Sequence, residues 1–324
     1  MASGTCKAGN YLCSVVYYDI EGRPVQVVDS KPNGGYAKTF TAYDFVGKPK
    51  SSVLRHVLAD GEVMTETIKN DYDNAERLLK TTYSLNNEKE VVLADNEYDE
   101  LGRLKKRSIN NEDVLSTNYN YNIRSWTTDI SNPLFSEKLY YNERHGGNTP
   151  QYGGNISAME WKVNFGNVSD ALRGYNYTYD NLSRLVKADY IENGTPSDHY
   201  GTSYSYDAMG NILSLHRNGL HNNNTFDEID NLTYTYDGNQ LIKVDDSAQE
   251  PIYNDCFDFK DGADEDIEYE YDANGNMTKD LNHGICNIEY NCINLPSRVD
   301  FLDGSKVLYT YDAKRFFVIY HHII

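Results

Sequence analysis

Carboxylates are the groups with which this 324-residue chain could do chemistry: it carries 49 Asp and Glu against 30 Lys and Arg, and many of the aspartates directly follow a tyrosine. Two carboxyls held about 5 to 10 Å apart across a cleft, one with a raised pKa, would be the acid and base of a glycoside hydrolase. "DANGNM" from Asp272 and "DFKDGADED" from Asp258 have the oxygen density of calcium loops. The first fails as an EF-hand, because Met277 stands where the loop needs glycine and His283 where it needs the bidentate glutamate. Weak cation binding in the acidic stretch is the option left. The eight histidines are scattered without H-E-x-x-H, and G-x-S-x-G, the P-loop and G-x-G-x-x-G are missing, so neither metal nor cofactor is expected. Cys6, Cys13, Cys256, Cys286 and Cys292 contain no C-x-x-C. They read as mostly free thiols, with a Cys286–Cys292 disulfide as the alternative.

The remaining bulk properties exclude whole classes. A net charge of −19 argues against contact with a phosphate backbone, which needs clustered Lys and Arg, so nucleic acid is not an expected partner. No run reaches the length of apolar residues that a membrane span requires, and no signal peptide is visible at the N-terminus. The 29 tyrosines make up much of the apolar content. A phenol ring buries area while its hydroxyl seeks a partner, so half-buried sheet faces suit it. Rings left open on such a face could stack on sugars or peptides. Sequons occur at Asn155, Asn176, Asn193 and Asn231 and read as a product of an asparagine-rich composition.

The elements that must position these groups are set by a repeat. "NEYDELGRL" at 96–104 returns as "YYDIEGRPV", "AYDFVGKPK", "DYDNAERLL", "TYDNLSRLV", "SYDAMGNIL" and "EYDANGNMT", with looser copies at Tyr121, Tyr236, Tyr290 and Tyr311. Spacing of roughly 20 to 35 residues is the mark of a repeat architecture. Before each turn, tyrosines alternate with threonine, serine or glutamate, as at Tyr177 and Tyr179 or Tyr204 and Tyr206. That period of two places them on one face of a strand. The turn follows from the aspartate, which bonds backbone N–H groups ahead of it, and from the glycine, which accepts a positive φ. The turn residues are therefore Tyr18, Asp19 and Gly22; Tyr43, Asp44 and Gly47; Tyr98, Asp99, Gly102 and Arg103; Tyr179, Asp180 and Arg184; Tyr206, Asp207 and Gly210; and Tyr271, Asp272 and Gly275. A basic residue or asparagine and then an aliphatic one open the outgoing strand. One such hairpin is too small to be stable alone and needs stacked neighbours.

The expected fold is all-β: stacked antiparallel hairpins forming a spiral ribbon or open shell segment with very little helix, one array over residues 1–324. An irregular insertion is expected at about 126–175, with strands around Leu139 and Ile156 to Val163, and an acidic loop at about 245–266. The apolar run "FFVIYHHII" within 312–324 is expected to be an open, self-associating edge.

"YDELGRL", "YDNLSRL" and "YDAMGNI" resemble the YD repeat of RHS-type proteins, and the spacing of "LFSEKLYYN", "YGGNISAMEW" and "YNYTYDNLSRL" is most similar to RHS-repeat proteins of Bacteroidetes. The family includes polymorphic-toxin shells, shell components of insecticidal toxin complexes, and teneurins. The resemblance covers about Tyr17 to Tyr311. It implies a β-ribbon wound into a hollow shell, an extracellular or cell-surface location, and as partners the remainder of a longer shell or its effector and immunity proteins. The chain departs from the toxin pattern in having no Asp-Pro self-cleavage site, and Arg315 and Phe316 replace the glycine and its follower in the last copy. The resemblance implies a piece of shell in a toxin-encapsulating or contact-dependent competition system. The expected function is thus a non-enzymatic structural wall. The alternatives are an adhesin-like module binding a glycan or surface protein through exposed tyrosines or the 141–155 loop, and a carboxylate glycoside hydrolase.

Overall fold

The computed structural model describes residues 12–31, 34–164, 171–222, 225–248 and 258–311, and the backbone of 317–323. Among the described residues there is no helix, in line with the absence of any helical apolar stripe. The first compact unit, chiefly Met1–Tyr119, holds β1 (Ser14–Tyr18), β2 (Pro24–Ser30), β3 (Tyr36–Tyr43), β4 (Pro49–Val57), β5 (Val63–Tyr72), β6 (Leu78–Leu85), β7 (Val91–Tyr98), β8 (Leu104–Ile109) and most of β9 (Glu112–Tyr121). Each pairs antiparallel with the next. The "NAERLLKTTY" stretch at 74–83 passes from a turn straight into β6.

The second unit, chiefly Asn120–Leu308, continues with β10 (Thr127–Asn132), β11 (Phe135–Tyr140), β12 (Ala158–Val163), β13 (Arg173–Tyr179), β14 (Leu185–Glu192), β15 (Thr195–Pro196), β16 (Thr202–Tyr206), β17 (Ile212–Asn222), β18 (Thr225–Asp237) and β19 (Gln240–Asp246). β14 pairs first with the two-residue β15 and then with β16. A separate sheet runs in chain order through β20 (Tyr269–Tyr271), β21 (Met277–Asp280), β22 (Ile285–Tyr290), β23 (Pro296–Phe301), β24 (Lys306–Tyr311) and β25 (Phe317–Ile323).

The ladder slips by one residue at the tyrosine of each repeat. Glu97 faces Lys106 but Tyr98 faces Leu104, and the same step falls before Tyr43, Tyr179, Tyr206 and Tyr271. This is the bulge that a left-handed residue at the end of a type I turn imposes on a hairpin.

Packing differs between the units. Among the described residues of the first, the buried hydrophobics are Ala37, Val92 and Ala94, all small or medium, while Val63, Met64, Val91 and Leu93 are exposed on the strands. The second has a true cluster of Leu232, Val244 and Tyr269, with Leu215, Tyr234, Leu241, Phe259, Tyr271 and Met277 around it.

Within 126–175, residues 165–170 lie outside the described residues, and the strands expected around Leu139 and Ile156 to Val163 appear as β11 and β12, joined by the loop at 141–157. Its Ser157 and Asn148 are buried. In the acidic insertion residues 249–257 lie outside the described residues, and the described remainder is a loop with 260–262 and 264–267 exposed, tied to the sheet at both ends. Phe259 N–H donates to Asp230 Oδ1 at 2.5 Å, and Glu268, fully buried just beyond the insertion, accepts from Val244 N–H at 3.0 Å and Asn282 Nδ2 at 2.8 Å. As for the cysteines, Cys286 and Cys292 are free and exposed, which removes the disulfide between them, and Cys13 is disulfide-bonded rather than free. The expected C-terminal edge begins in 312–316, outside the described residues.

Candidate functional site: the tyrosine–aspartate turn

The turn at Asp99 shows how the repeat residues work. Gly102 N–H donates to Asp99 C=O at 2.9 Å, and Asp99 N–H to Arg103 C=O at 2.9 Å, closing the loop. The carboxylate then fills the interior: Oδ1 accepts from Leu101 N–H at 3.0 Å and Arg103 N–H at 2.8 Å, and Oδ2 from Arg103 Nε at 2.6 Å. Gly102 takes φ 82°, a region that costs an L-residue about 1–2 kcal/mol.

The other turns repeat this chemistry. Asp19 with Arg23, Asp73 with Arg77 and Asp180 with Arg184 form the same bonds, and Asp207 and Asp272 use the side-chain amides of Asn211 and Asn276, each at 2.8 Å. Asp44 accepts the Lys48 backbone N–H at 2.8 Å. Gly22, Gly47, Gly210 and Gly275 share the positive φ of Gly102; where a repeat lacks glycine, Glu76, Ser183 and Asn294 adopt it instead.

Electrostatics follow from this saturation. At Asp99 slight desolvation works against ionisation, but the Arg103 backbone, side chain and charge outweigh it, so the carboxyl stays below the usual aspartate range. Asp73 and Asp180 are lowered first by the backbone N–H of the following arginine, and Asp272 first by the Asn276 side chain. These are the reverse of what the acid of a glycosidase needs, a raised pKa and a free oxygen. The calcium-loop residues are likewise spent on structure: Asp272 Oδ1 accepts from Asn274 and Asn276 N–H, and Asp261 Oδ2 from Asp246 N–H. Among the described residues no cluster of three or more potential metal ligands occurs.

The residue after the turn has a role that sequence spacing did not reveal, since it joins one hairpin to the next. Arg23 sits over the Tyr43 ring at 5.1 Å, Lys48 over Tyr72 at 5.4 Å, Arg77 over Tyr98 at 4.8 Å and Arg184 over Tyr206 at 4.7 Å. Each of those tyrosines also donates its hydroxyl to the carbonyl just beyond that basic residue: Tyr43 to Pro24 at 2.9 Å, Tyr72 to Pro49 at 3.0 Å, Tyr98 to Leu78 at 2.8 Å and Tyr206 to Leu185 at 2.6 Å. Tyr236 and Tyr290 keep the hydroxyl bond, to Ile212 and Met277, where asparagine replaces arginine. Tyr179 donates to Ile156 at 2.7 Å, whereas Tyr18, at the first turn, is exposed and Tyr271 packs on the buried cluster. One arginine thus holds its own aspartate and the tyrosine of its neighbour.

A second constellation lies in the 141–157 loop. His145 Nε2 meets Glu160 Oε1 at 2.7 Å, Tyr140 donates to Glu160 Oε2 at 3.1 Å, and the two rings stack with centroids 3.9 Å apart. Burial, then the Glu160 charge, pushes the Tyr140 phenol up to about 12. No sequence motif marks this trio.

No protein-family model matches the chain, and no curated protein matches it in sequence. Its fold is similar to the crystal structure of TcdB2-TccC3, with TM-score 0.57 and 14% identity over 95% of this chain and 20% of that one. The TcdB2-TccC3-Cdc42 crystal structure matches with TM-score 0.57 and 12% identity, over 96% of this chain and 18% of that one. This chain therefore spans about a fifth of the length of those it resembles, and the likeness is one of fold.

Proposed function

We propose that the chain is a stretch of wall in a secreted or cell-surface β-shell of the RHS type, without catalytic activity of its own, and that other shell components flank it. The observation that carries this is the arginine–tyrosine link. Each hairpin passes part of its turn to the next, so the interactions that stabilise the array run along the ribbon, as in other repeat proteins. Among the described residues the first unit buries few hydrophobic side chains, and apolar strand residues lie open on its surface; a wall with neighbours has a use for such faces. The likeness in fold to TcdB2-TccC3 supports the shell, and the Cys13 disulfide suits an oxidising compartment outside the cell. The tyrosines that would make an adhesive face are largely occupied by the neighbouring hairpin's cation and carbonyl, which favours wall over adhesin.

Cross-linking with mass spectrometry on the protein in its producing cell tests the proposal. Links from the lysines of the ribbon to other repeat hairpins are expected. A chain cross-linked only within itself, together with release of reducing sugar from a polysaccharide panel, would overturn it.

A further inference from the structure

Four of the hydrophobic side chains most open to solvent in the second unit stand in a row at one rim of the sheet, where the strands β10 to β17 turn. β10 to β14 each pair antiparallel with the next, so every second connection falls at the same rim. The turn that opens β10, the β11–β12 loop and the β13–β14 turn share it. So does the β16–β17 turn, because β15 and β16 both return antiparallel to β14. There Ile123 is fully exposed, and Tyr152, Leu182 and Met209 are 65%, 69% and 75% exposed. At the opposite rim the exposed residues of the described β10–β11 and β14–β15 connections are Pro133, Asn193 and Gly194.

The turns have no need of these side chains. Leu182 and Met209 N–H donate to Asp180 and Asp207 Oδ1 at 2.9 and 2.8 Å, and Asn274 N–H makes the same bond to Asp272 Oδ1 at 2.9 Å. Asparagine closes the turn as well as leucine or methionine does. Ile123 holds the place after Asn122 that Asn181 takes after Asp180, and a side chain wholly in solvent adds no burial to the fold. Tyr152 reaches the rim by a separate device, although its loop belongs to no repeat. Arg124 lies 5.0 Å over the Trp126 ring, and its Nη1 donates to Tyr152 C=O at 2.8 Å. Gly154 runs so close to the indole that a Cβ there would stand 3.3 Å from Trp126 Cζ2. The residue after Ile123 thus fixes the loop that brings Tyr152 to the same rim.

We propose that this rim docks on the surface of a phospholipid bilayer, with Ile123 and Tyr152 entering at the acyl boundary and Leu182 beside them. Neighbouring connections at one rim stand two strands apart, about 10 Å. A sheet twists by about 20–25° per strand, so adjacent tips, and not the whole row, meet a plane together. The ground between the tips favours lipid over protein. Asp180 with Arg184 and Asp207 with Asn211 stand in the same turns as the tips, and the core of a protein interface is depleted in such charges. At a bilayer surface the headgroups solvate them while apolar side chains pass about 5–10 Å deeper. Tyrosine, with an apolar ring and a polar end, suits that depth. Rim charge selects the lipid: Arg124, Arg144 and Arg184 balance Glu143, Asp180 and Asp207, whereas the whole chain carries −19, so a zwitterionic surface is accepted and an anionic one repelled. No helix among the described residues is long and apolar enough to cross a membrane; the contact is peripheral.

The test is co-sedimentation of the full chain with phosphatidylcholine vesicles and with phosphatidylglycerol vesicles. Binding to the first is expected, and weaker binding to the second. Ile123→Ser should lower the partition coefficient about tenfold and Tyr152→Ser several-fold. Leu302→Ser, which removes an equally open leucine from a turn of the other sheet, should leave it unchanged. Brominated phosphatidylcholine should quench Trp126, which underlies this rim, and spare the emission left in Trp126→Phe, where Trp161 alone remains. No sedimentation with either vesicle, preference for phosphatidylglycerol, undiminished partition in Ile123→Ser, or an equal loss in Leu302→Ser would each overturn the proposal. So would self-association without lipid that Ile123→Ser abolishes, which assigns the rim to a second copy of the chain. The wall reading is judged separately, because cross-links to other repeat hairpins form or fail whether or not vesicles bind.

Discussion

Replacing Gly102 by valine isolates the turn from everything else in the repeat. The backbone there has φ 82°, which costs an L-residue about 1–2 kcal/mol, and a β-branched side chain pays at the upper end. A Cβ would also stand 3.4 Å from Arg77 Nη1, so the valine methyl groups must displace the guanidinium that covers Tyr98. The sum is a loss of about 2–3 kcal/mol. Glu100→Val changes an exposed position in the same turn without a positive φ and should stay within about 0.5 kcal/mol. Because a repeat array need not unfold as one unit, hydrogen exchange is the sharper assay. The Asp99 amide, bonded to Arg103 C=O at 2.9 Å, should exchange about 30-fold faster or more in Gly102→Val and at the native rate in Glu100→Val. Equal rates in the two variants would refute the turn account.

The converse substitution, Ser183→Gly, relieves a non-glycine residue at φ 63° and should stabilise by about 0.5–1 kcal/mol after the entropic cost of glycine; a lower urea midpoint than wild type would contradict this. Tyr206→Phe deletes the hydroxyl bond to Leu185 C=O and should cost about 1 kcal/mol, with exchange accelerated across β14 and β16; a change confined to β16 would show that the bond does not couple hairpins. Asp73, Asp99 and Asp272 lie below their ordinary value of 3.8 when folded, so the unfolded chain binds more protons on acidification. Their contribution is complete above that value and disappears as pH falls through the folded values; a urea midpoint flat from pH 6 to pH 2 would sink this. At the alkaline end, burial pushes the phenols of Tyr175 and Tyr234 up to about 12, so stability should be full below their ordinary value of 10 and fall as pH rises toward 12. Tyrosinate absorbance that rises smoothly, with no unfolding transition, would be the contrary result.

The hairpin was legible because its information is local. Tyrosine alternation, aspartate and glycine fall within nine residues, and all act through the backbone beside them. The degenerate copies at Asp73 and Asp180 also form turns, although Glu76 and Ser183 had to accept a conformation that their side chains disfavour. The link between hairpins was not legible, since it depends on which strands lie side by side. Tyr43 meets the carbonyl of Pro24 across 19 residues, but Tyr72 meets Pro49 across 23, because β4 and β5 are each two residues longer than β2 and β3 while the loops at the far end are equal. A fixed period never appears. The signal available was the repeated Arg, Lys or Asn directly after the turn, a residue whose bond to its own aspartate accounts for only half of what it does.

The same distinction holds for the burial of Glu268 and for a recess lined by Gly146, Gly147, Asn176 and Ile191. The acidic insertion has the composition of a solvated loop, and nothing local announces that Glu268 will be fully buried. Its partners come from either side of it in the chain, Val244 N–H from β19 and Asn282 from the turn between β21 and β22. The recess at Asn176 is likewise a product of three separated pieces, a glycine pair, a strand face and a two-residue strap, each ordinary by itself. In a repeat protein the array reports what its units have in common, whereas a site that sets one unit apart must come from where the repeat fails. The longest such failure in the described chain is the 141–157 loop. It carries the His145–Glu160 pair and the Gly146 carbonyl that orients Asn176, so what sets this unit apart is concentrated there and not on the repeated tyrosines.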